Sequence, residues 1–220
     1  PHPVQFLHGE TTGTLGELAR SRADLAVIAL PSDEIAAALE VAGRIACRSA
    51  LIISDGIEPE QAAQLKRIAR REGVHLLGPN CLGFMNPKIG LNATFAATLA
   101  NPGNVAFISQ SGALCTAILD WSMHEKVGFS AFASLGSMLD IGWGDLIDYL
   151  GDDPNTRSIV IYMESIGDAR GFLSAAGGMA FAPLVLTSAF AWPDAPLKVI
   201  VPFTPAGGPD FIGRYVAERL

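Results

Sequence analysis

Charge is scarce in this chain. Only 17% of its 220 residues are Asp, Glu, Lys or Arg, and half are hydrophobic. Ordinary domains carry about a quarter charged residues. A chain this apolar can bury enough surface to offset the entropy of ordering, which argues against disorder. Basic residues number 15 against 22 acidic, a formal net charge of −7. They gather no further than Lys66-Arg67 and Arg70-Arg71 on one helix face, which argues against nucleic acid as a partner.

Cysteine is scarcer still, with three in the chain. Cys47, Cys81 and Cys115 are odd in number and scattered, which excludes a disulfide framework and gives no metal-ligand spacing. A reducing, cytoplasmic setting is the expectation for the chain up to about residue 176. Cys47 and Cys115 fall in helical stretches and read as small buried hydrophobes. The four histidines, His2, His8, His75 and His124, stand apart from one another and from any carboxylate motif. None has the spacing of a metal ligand or of a nucleophile's partner, and none follows His124.

What is present is a repeating alternation of strand and helix. Leu25–Leu30 is a continuous apolar run stopped by Pro31, and Ser32 reads as the N-cap of a helix to about Cys47 with Ile35, Leu39, Ala42 and Ala46 inward. Ala50–Ile53 is a second strand, closed by Ser54-Asp55-Gly56. A helix over Pro59–Glu72 ends at Gly73, and Val74–Leu77 runs into Gly78-Pro79-Asn80. Continuous apolar strands between amphipathic helices predict parallel sheets covered on both faces. Ligands of such sheets gather at the carboxyl ends of the strands.

A loop through Asn86-Pro87 and Asn101-Pro102-Gly103 separates a second unit, with strands Val105–Ile108, Ala131–Leu135 and Ser158–Met163 and helices near Ala113–His124 and Asp145–Leu150. Its opening run, Asn104 to Leu114, is a strand, a polar turn and a helix start. Leu114, Ala117, Ile118 and Trp121 mark the expected inner stripe of that helix. Ser109 and Ser111 are good N-caps, and Gly112 lets a ligand approach the backbone. Free N–H groups and the helix dipole then favour an anion such as phosphate. An ordinary capped strand-to-helix loop reads from the same residues.

Beyond Gly171 the character changes. No charged residue occurs from Gly171 to Pro193, and Met179–Trp192 is strongly apolar. Three readings stay open: a membrane span, weakened by Gly177, Gly178 and Pro183; a buried helix; or a secretory signal with Ala182–Thr187 as its apolar region and cleavage after Ala191. The expected organisation is therefore 1–100, 101–176 and 177–220.

Several motifs in fixed order carry a resemblance: Asp24-Leu25-Ala26-Val27-Ile28-Ala29, Ile53-Ser54-Asp55-Gly56-Ile57, Gly78-Pro79-Asn80-Cys81-Leu82-Gly83, Gly90-Leu91-Asn92-Ala93-Thr94-Phe95, the run from Gly103 to Leu114, Ser134-Leu135-Gly136, Gly144-Asp145-Leu146 and Ile161-Tyr162-Met163-Glu164-Ser165-Ile166. Residues 8–176 resemble the alpha-type region of the NDP-forming acyl-CoA synthetases, relatives of the succinyl-CoA synthetase alpha subunit. The resemblance implies an α/β protein: a Rossmann-like CoA-binding domain, here N-terminally truncated, followed by a flavodoxin-like domain of the succinyl-CoA ligase type.

It also implies a chemistry, in which acyl-CoA, phosphate and ADP give the acid, CoA and ATP through an acyl phosphate and a phosphohistidine. Leu30, Pro31, Ile53 and Asp55 would line the CoA site, with Asn80 and Cys81 near the CoA thiol. Ser109, Ser111 and Gly112 would hold the phosphate. Glu164 would orient the histidine and raise its basicity. Gly136, Ser137 and Asp140 would approach the acyl carboxylate. ATP or ADP with Mg would enter only through an ATP-grasp domain or beta-type subunit.

Three departures qualify the resemblance. Nothing before His8 supplies the family's glycine-rich phosphate turn, no histidine follows Glu164, and no ATP-grasp segment is present. The expectation is a chain inactive by itself, or a non-catalytic CoA-binding partner subunit. A second resemblance covers the tail. Trp192-Pro193-Asp194-Ala195-Pro196-Leu197-Lys198-Val199-Ile200-Val201-Pro202-Phe203-Thr204-Pro205-Ala206-Gly207-Gly208-Pro209-Asp210 is similar to the N-terminus of a tripartite tricarboxylate transporter receptor, a periplasmic carboxylate-binding protein. That implies two unrelated fragments joined near Ala176.

Overall fold

The first sheet forms where the apolar runs of the N-terminal half lie side by side. In the computed structural model, which describes residues 23–185 and 198–200, β1 (Leu25–Ile28), β2 (Ser49–Ile52) and β3 (His75–Leu77) pair in parallel in the order β1-β2-β3. The crossovers are α1 (Ile35–Arg44) and α2 (Pro59–Glu72). Ile35, Leu39, Leu65 and Ile68 of the helices bury against Ile28, Ile52 and Leu76 of the strands. β1 leaves the ladder after Ile28, whose carbonyl accepts from Ile53 N–H at 2.9 Å. The expected cap at Ser32 gives way to a turn in which Glu34 N–H donates to Pro31 O, so α1 starts at Ile35 and stops at Arg44, before Cys47.

The second sheet is mixed rather than wholly parallel. Its order is β5-β4-β7-β6-β8-β9, from β4 (Gly83–Asn86), β5 (Leu91–Thr94), β6 (Pro102–Ser109), β7 (Phe129–Ser134), β8 (Ser158–Tyr162) and β9 (Lys198–Ile200). β6, β7, β8 and β9 are mutually parallel, while β4 runs antiparallel to both β5 and β7. Residues 83–94, expected as connecting loop on the first-domain side of position 100, therefore pair in the second sheet. Such short strands carry little periodicity of their own, and β7 supplies the partner.

α3 (Gly112–Glu125), α4 (Trp143–Gly151) and α5 (Ala169–Val185) complete the unit. Phe107, Phe129 and Phe132 form a triangle with centroids 5.1 to 6.3 Å apart beneath α3. The buried stripe of α3 is Cys115, Leu119 and Ser122, with Leu114 and Ile118 partly buried; Trp121 is 51% exposed. The expected stripe was rotated because α3 is apolar nearly all round, so its own pattern selects no face.

One core spans both sheets. Leu51, Leu77 and Cys81 from the first share it with Ile108, Leu135 and Ile161 from the second. α5 continues unbroken across position 176, where the sequence suggests a junction. No helix of the described residues is long and apolar enough to cross a membrane. The signal-like cleavage site at Ala189–Ala191 and the receptor-like loop at 205–210 lie outside the described residues, as do residues 1–22.

Candidate functional site

The carboxyl ends of β1, β2 and β3 are drawn into one arc by Ser54. Its Oγ donates to Leu30 O at 2.6 Å, and its own carbonyl accepts from Asn80 N–H at 2.9 Å. Leu30 and Ile53 are half-buried there, and Pro31, Asp55 and Asn80 are exposed. Sequence reasoning did not name Ser54 as a site residue, although a serine directly after a buried strand is a usable signal for such a bridge.

Cys81 departs from its expected place beside a ligand. It is 3% exposed and its Sγ donates to Ile52 O at 3.3 Å. Burial, then the neighbouring Cys115, push its thiol up to about 12. Its neighbour Asn80, at φ +55°, is the one that faces outward.

The loop after β7 seals the two sheets together. Ser137 N–H donates to Pro79 O at 2.9 Å, Leu139 N–H to Gly78 O at 3.0 Å and Ile141 N–H to Leu76 O at 3.0 Å. Gly136 permits this approach, because a Cβ there would overlap the carbonyl oxygens of Pro79 and Asn80. The structure thus brings Gly136 and Ser137 against Asn80. Asp140 goes elsewhere: its Oδ2 accepts from Leu76 N–H at 3.0 Å and lies 3.8 Å from His75 Nδ1, at the opposite end of β3. It pins the loop and does not join the strand-end cluster.

The turn from β6 into α3 is built around serine hydroxyls. Ser109 Oγ, fully buried, accepts from Ser111 N–H at 3.0 Å and donates to Ser111 O. Ser111 is the N-cap, its Oγ accepting from Leu114 N–H at 3.2 Å. Ser111's amide is therefore spent internally. The N–H groups of Gly112 and Ala113 have no acceptor among the described residues and are the donors left for an anion. Gly112 also abuts the segment between β3 and β4, where a Cβ on it would lie 3.6 Å from Leu82 N. Replacing Ser111 by Ala should cost about 1 kcal/mol, the usual value of a serine cap. Urea titration beside S111T, which keeps the hydroxyl, checks it: equal losses in both would count against the cap.

Glu164 follows β8 and is exposed, with no hydrogen bond or ion pair to its carboxylate among the described residues. Its N–H donates to Gln110 Oε1 at 2.6 Å, so the loop bearing it is tied to the turn bearing Ser109, Ser111 and Gly112. Gln110 is a functional candidate the sequence reading passed over, since a glutamine between two serines carries no signal of what it reaches. Beneath the turn, Ser134 Oγ is buried with no hydrogen-bond partner among the described residues, and Cys115 is pushed up to about 12 by burial. Among the described residues no cluster of three His, Cys, Asp or Glu has metal-holding geometry.

The fold has known counterparts. Residues 2–87 match the model of a CoA binding domain, and residues 102–189 that of a succinyl-CoA ligase like flavodoxin domain. Acetate–CoA ligase [ADP-forming] I of Archaeoglobus fulgidus is 41% identical over 163 residues, covering 71% of this chain and 24% of that protein. The alpha subunit of acetate–CoA ligase [ADP-forming] I of Pyrococcus furiosus is 42% identical over 161 residues, 70% of this chain and 34% of the subunit. The dinucleotide forming acetyl-coenzyme A synthetase 1 of Ca. Korarchaeum cryptofilum, solved with phosphate and ADP, superposes with a TM-score of 0.74 at 32% identity, over 91% of this chain and 41% of that one. The chain spans between a fifth and about a third of the length of the first four curated relatives it matches.

Proposed function

We infer that this chain, which joins a Rossmann-like CoA-binding domain to a succinyl-CoA ligase-like flavodoxin domain, is the CoA-binding and phosphate-holding portion of an NDP-forming acyl-CoA synthetase. The observation that carries this reading is the contact of Gly136 with the Pro79 and Asn80 carbonyls. It joins the strand ends of the first sheet to the second unit, so a CoA laid over those ends would deliver its thiol toward the turn at Ser109–Gly112.

In this reading Leu30, Pro31, Ile53 and Asp55 flank the CoA, and Asn80, rather than the buried Cys81, meets its thiol end. Gly112 and Ala113 N–H groups receive a phosphoryl group, with Ser109 and Ser111 shaping the turn. Glu164, on the adjoining loop, orients the histidine that accepts that phosphoryl. Gly136 and Ser137 border the acyl group, and Asp140 holds their loop in place. The functional division follows the two matched domains, with the β4–β5 hairpin serving the second.

The 220 residues hold no histidine after His124, so the phosphorylated histidine comes from outside them. ADP and its magnesium belong to an ATP-grasp domain or partner subunit, and two of the relatives are themselves named alpha subunits. Calorimetry with CoA should give one-to-one binding to this polypeptide, while labelled ATP should leave no phosphohistidine on it. Silence toward CoA would overturn the reading; a labelled histidine would overturn the need for an external one.

For the tail, the start of a carboxylate-binding receptor remains a proposal resting on residues 192–210 alone. Export with cleavage after Ala191 would support it, and retention of an uncleaved chain would remove it.

A further inference from the structure

We propose that Gln110 is a positioning residue that sets where the Glu164 carboxylate stands relative to the start of α3. The proposal rests on the reading of that turn as a phosphoryl cradle. Gln110 is 9% exposed and lies between the two serines of the turn. Its Oε1 accepts from both Glu164 N–H at 2.6 Å and Ser165 N–H at 2.7 Å, and its Nε2 donates to Ser165 Oγ at 2.9 Å. Two N–H groups aimed at one atom require that atom to be oxygen, so the amide orientation is fixed by its surroundings.

The far side of the loop is fixed as well. Trp143, 2% exposed at the start of α4, donates Nε1–H to Ser165 O at 3.0 Å. Every polar atom of Ser165 is thereby engaged, by Gln110 at N and Oγ and by Trp143 at O. Gln110 N–H itself donates to Tyr162 O at 3.1 Å, closing the link between the ends of β6 and β8. The Glu164 side chain has no protein partner among the described residues, so its direction is inherited from a backbone held at both ends. A carboxylate free at its tip but rigid at its root suits a group that must meet a second side chain without rearranging first.

Substituting Gln110 separates geometry from charge. Q110M keeps the length and removes the acceptor. Q110E keeps an oxygen for both N–H groups, with the Ser165 hydroxyl turned to donate. On the full chain without ligand, amide exchange at Glu164 and Ser165 should speed at least about tenfold in Q110M and stay slow in Q110E. Unchanged exchange in Q110M would overturn the proposal. Inorganic phosphate, followed by NMR shifts of the Gly112 and Ala113 amides, supplies a readout that general loosening does not mimic. E164Q should tighten phosphate about threefold with Gln110 present, by removing like charge, and change it little in a Q110M background. An equal effect in both backgrounds would overturn the positioning role. If the exchange pattern holds but phosphate moves neither amide, Gln110 still anchors Glu164, and the cradle reading is what fails.

Discussion

Gly136→Ala should lose CoA binding and a large part of the chain's stability together. Gly136 has φ +55°, and a methyl there would overlap the carbonyl oxygens of Pro79 and Asn80. An alanine in the left-handed region costs about 1 kcal/mol by itself. The overlap adds about 1–3 kcal/mol, because both overlapped atoms are backbone oxygens and cannot rotate away. Relief requires the loop after β7 to lift, breaking the Ser137–Pro79 and Leu139–Gly78 hydrogen bonds that close the junction.

Gly56 is the control. Its φ is +65° with nothing within 4 Å of a Cβ, so G56A carries only the conformational cost. Thermal unfolding should place G136A below G56A by about 3–10 °C, and calorimetry should show CoA weakened at least about tenfold in G136A, since Asn80 moves with the junction. Equal unfolding temperatures for the two variants would mean that the junction relaxes freely and does not set the site.

The second large effect is alkaline. Cys81 and Cys115 lie in the core under the site, and burial pushes both thiols up to about 12 from an ordinary 9.0. An unfolded chain releases these protons near pH 9, whereas the folded chain retains them. Their contribution is intact below pH 9 and is lost as pH rises toward 12, at about 1.4 kcal/mol per pH unit for each thiol. Urea unfolding at pH 8, 9, 10 and 10.5 should show a steep decline in the wild-type chain and a shallower one in a Cys81→Ala/Cys115→Ala variant, every other group being common to both. The same burial keeps the two thiols unreactive toward a disulfide reagent at pH 8 until denaturant is added. Parallel stability profiles for the two proteins would contradict the assignment.

Much of this was legible in the order of residues. The run Pro59–Glu72 declares a helix by its proline start, its apolar spacing and the glycine behind it, and the structure has the same bounds. Leu25, Ala50 and Val74 each open continuous apolar runs, the pattern of a parallel sheet; β2 and β3 bury theirs, while edge strand β1 leaves Val27 50% exposed. The serine turn into α3 announces an N-terminus with spare donors. Residues 83–94 did not announce themselves, because a four-residue strand depends on a partner far along the chain. Asn80 and Cys81 are neighbours in one motif, yet only packing decides that Cys81 turns into the core and Asn80 outward.

Local chemistry therefore determined the elements of this protein: where strands stop and which turn carries free amides. Tertiary structure decided their relation. Gly136 abuts Asn80, Gln110 reaches Glu164 and Asp140 leaves the site for Leu76, and none of these follows from spacing. Hydrogen-bond and steric complementarity between distant segments exist only after the sheets have packed.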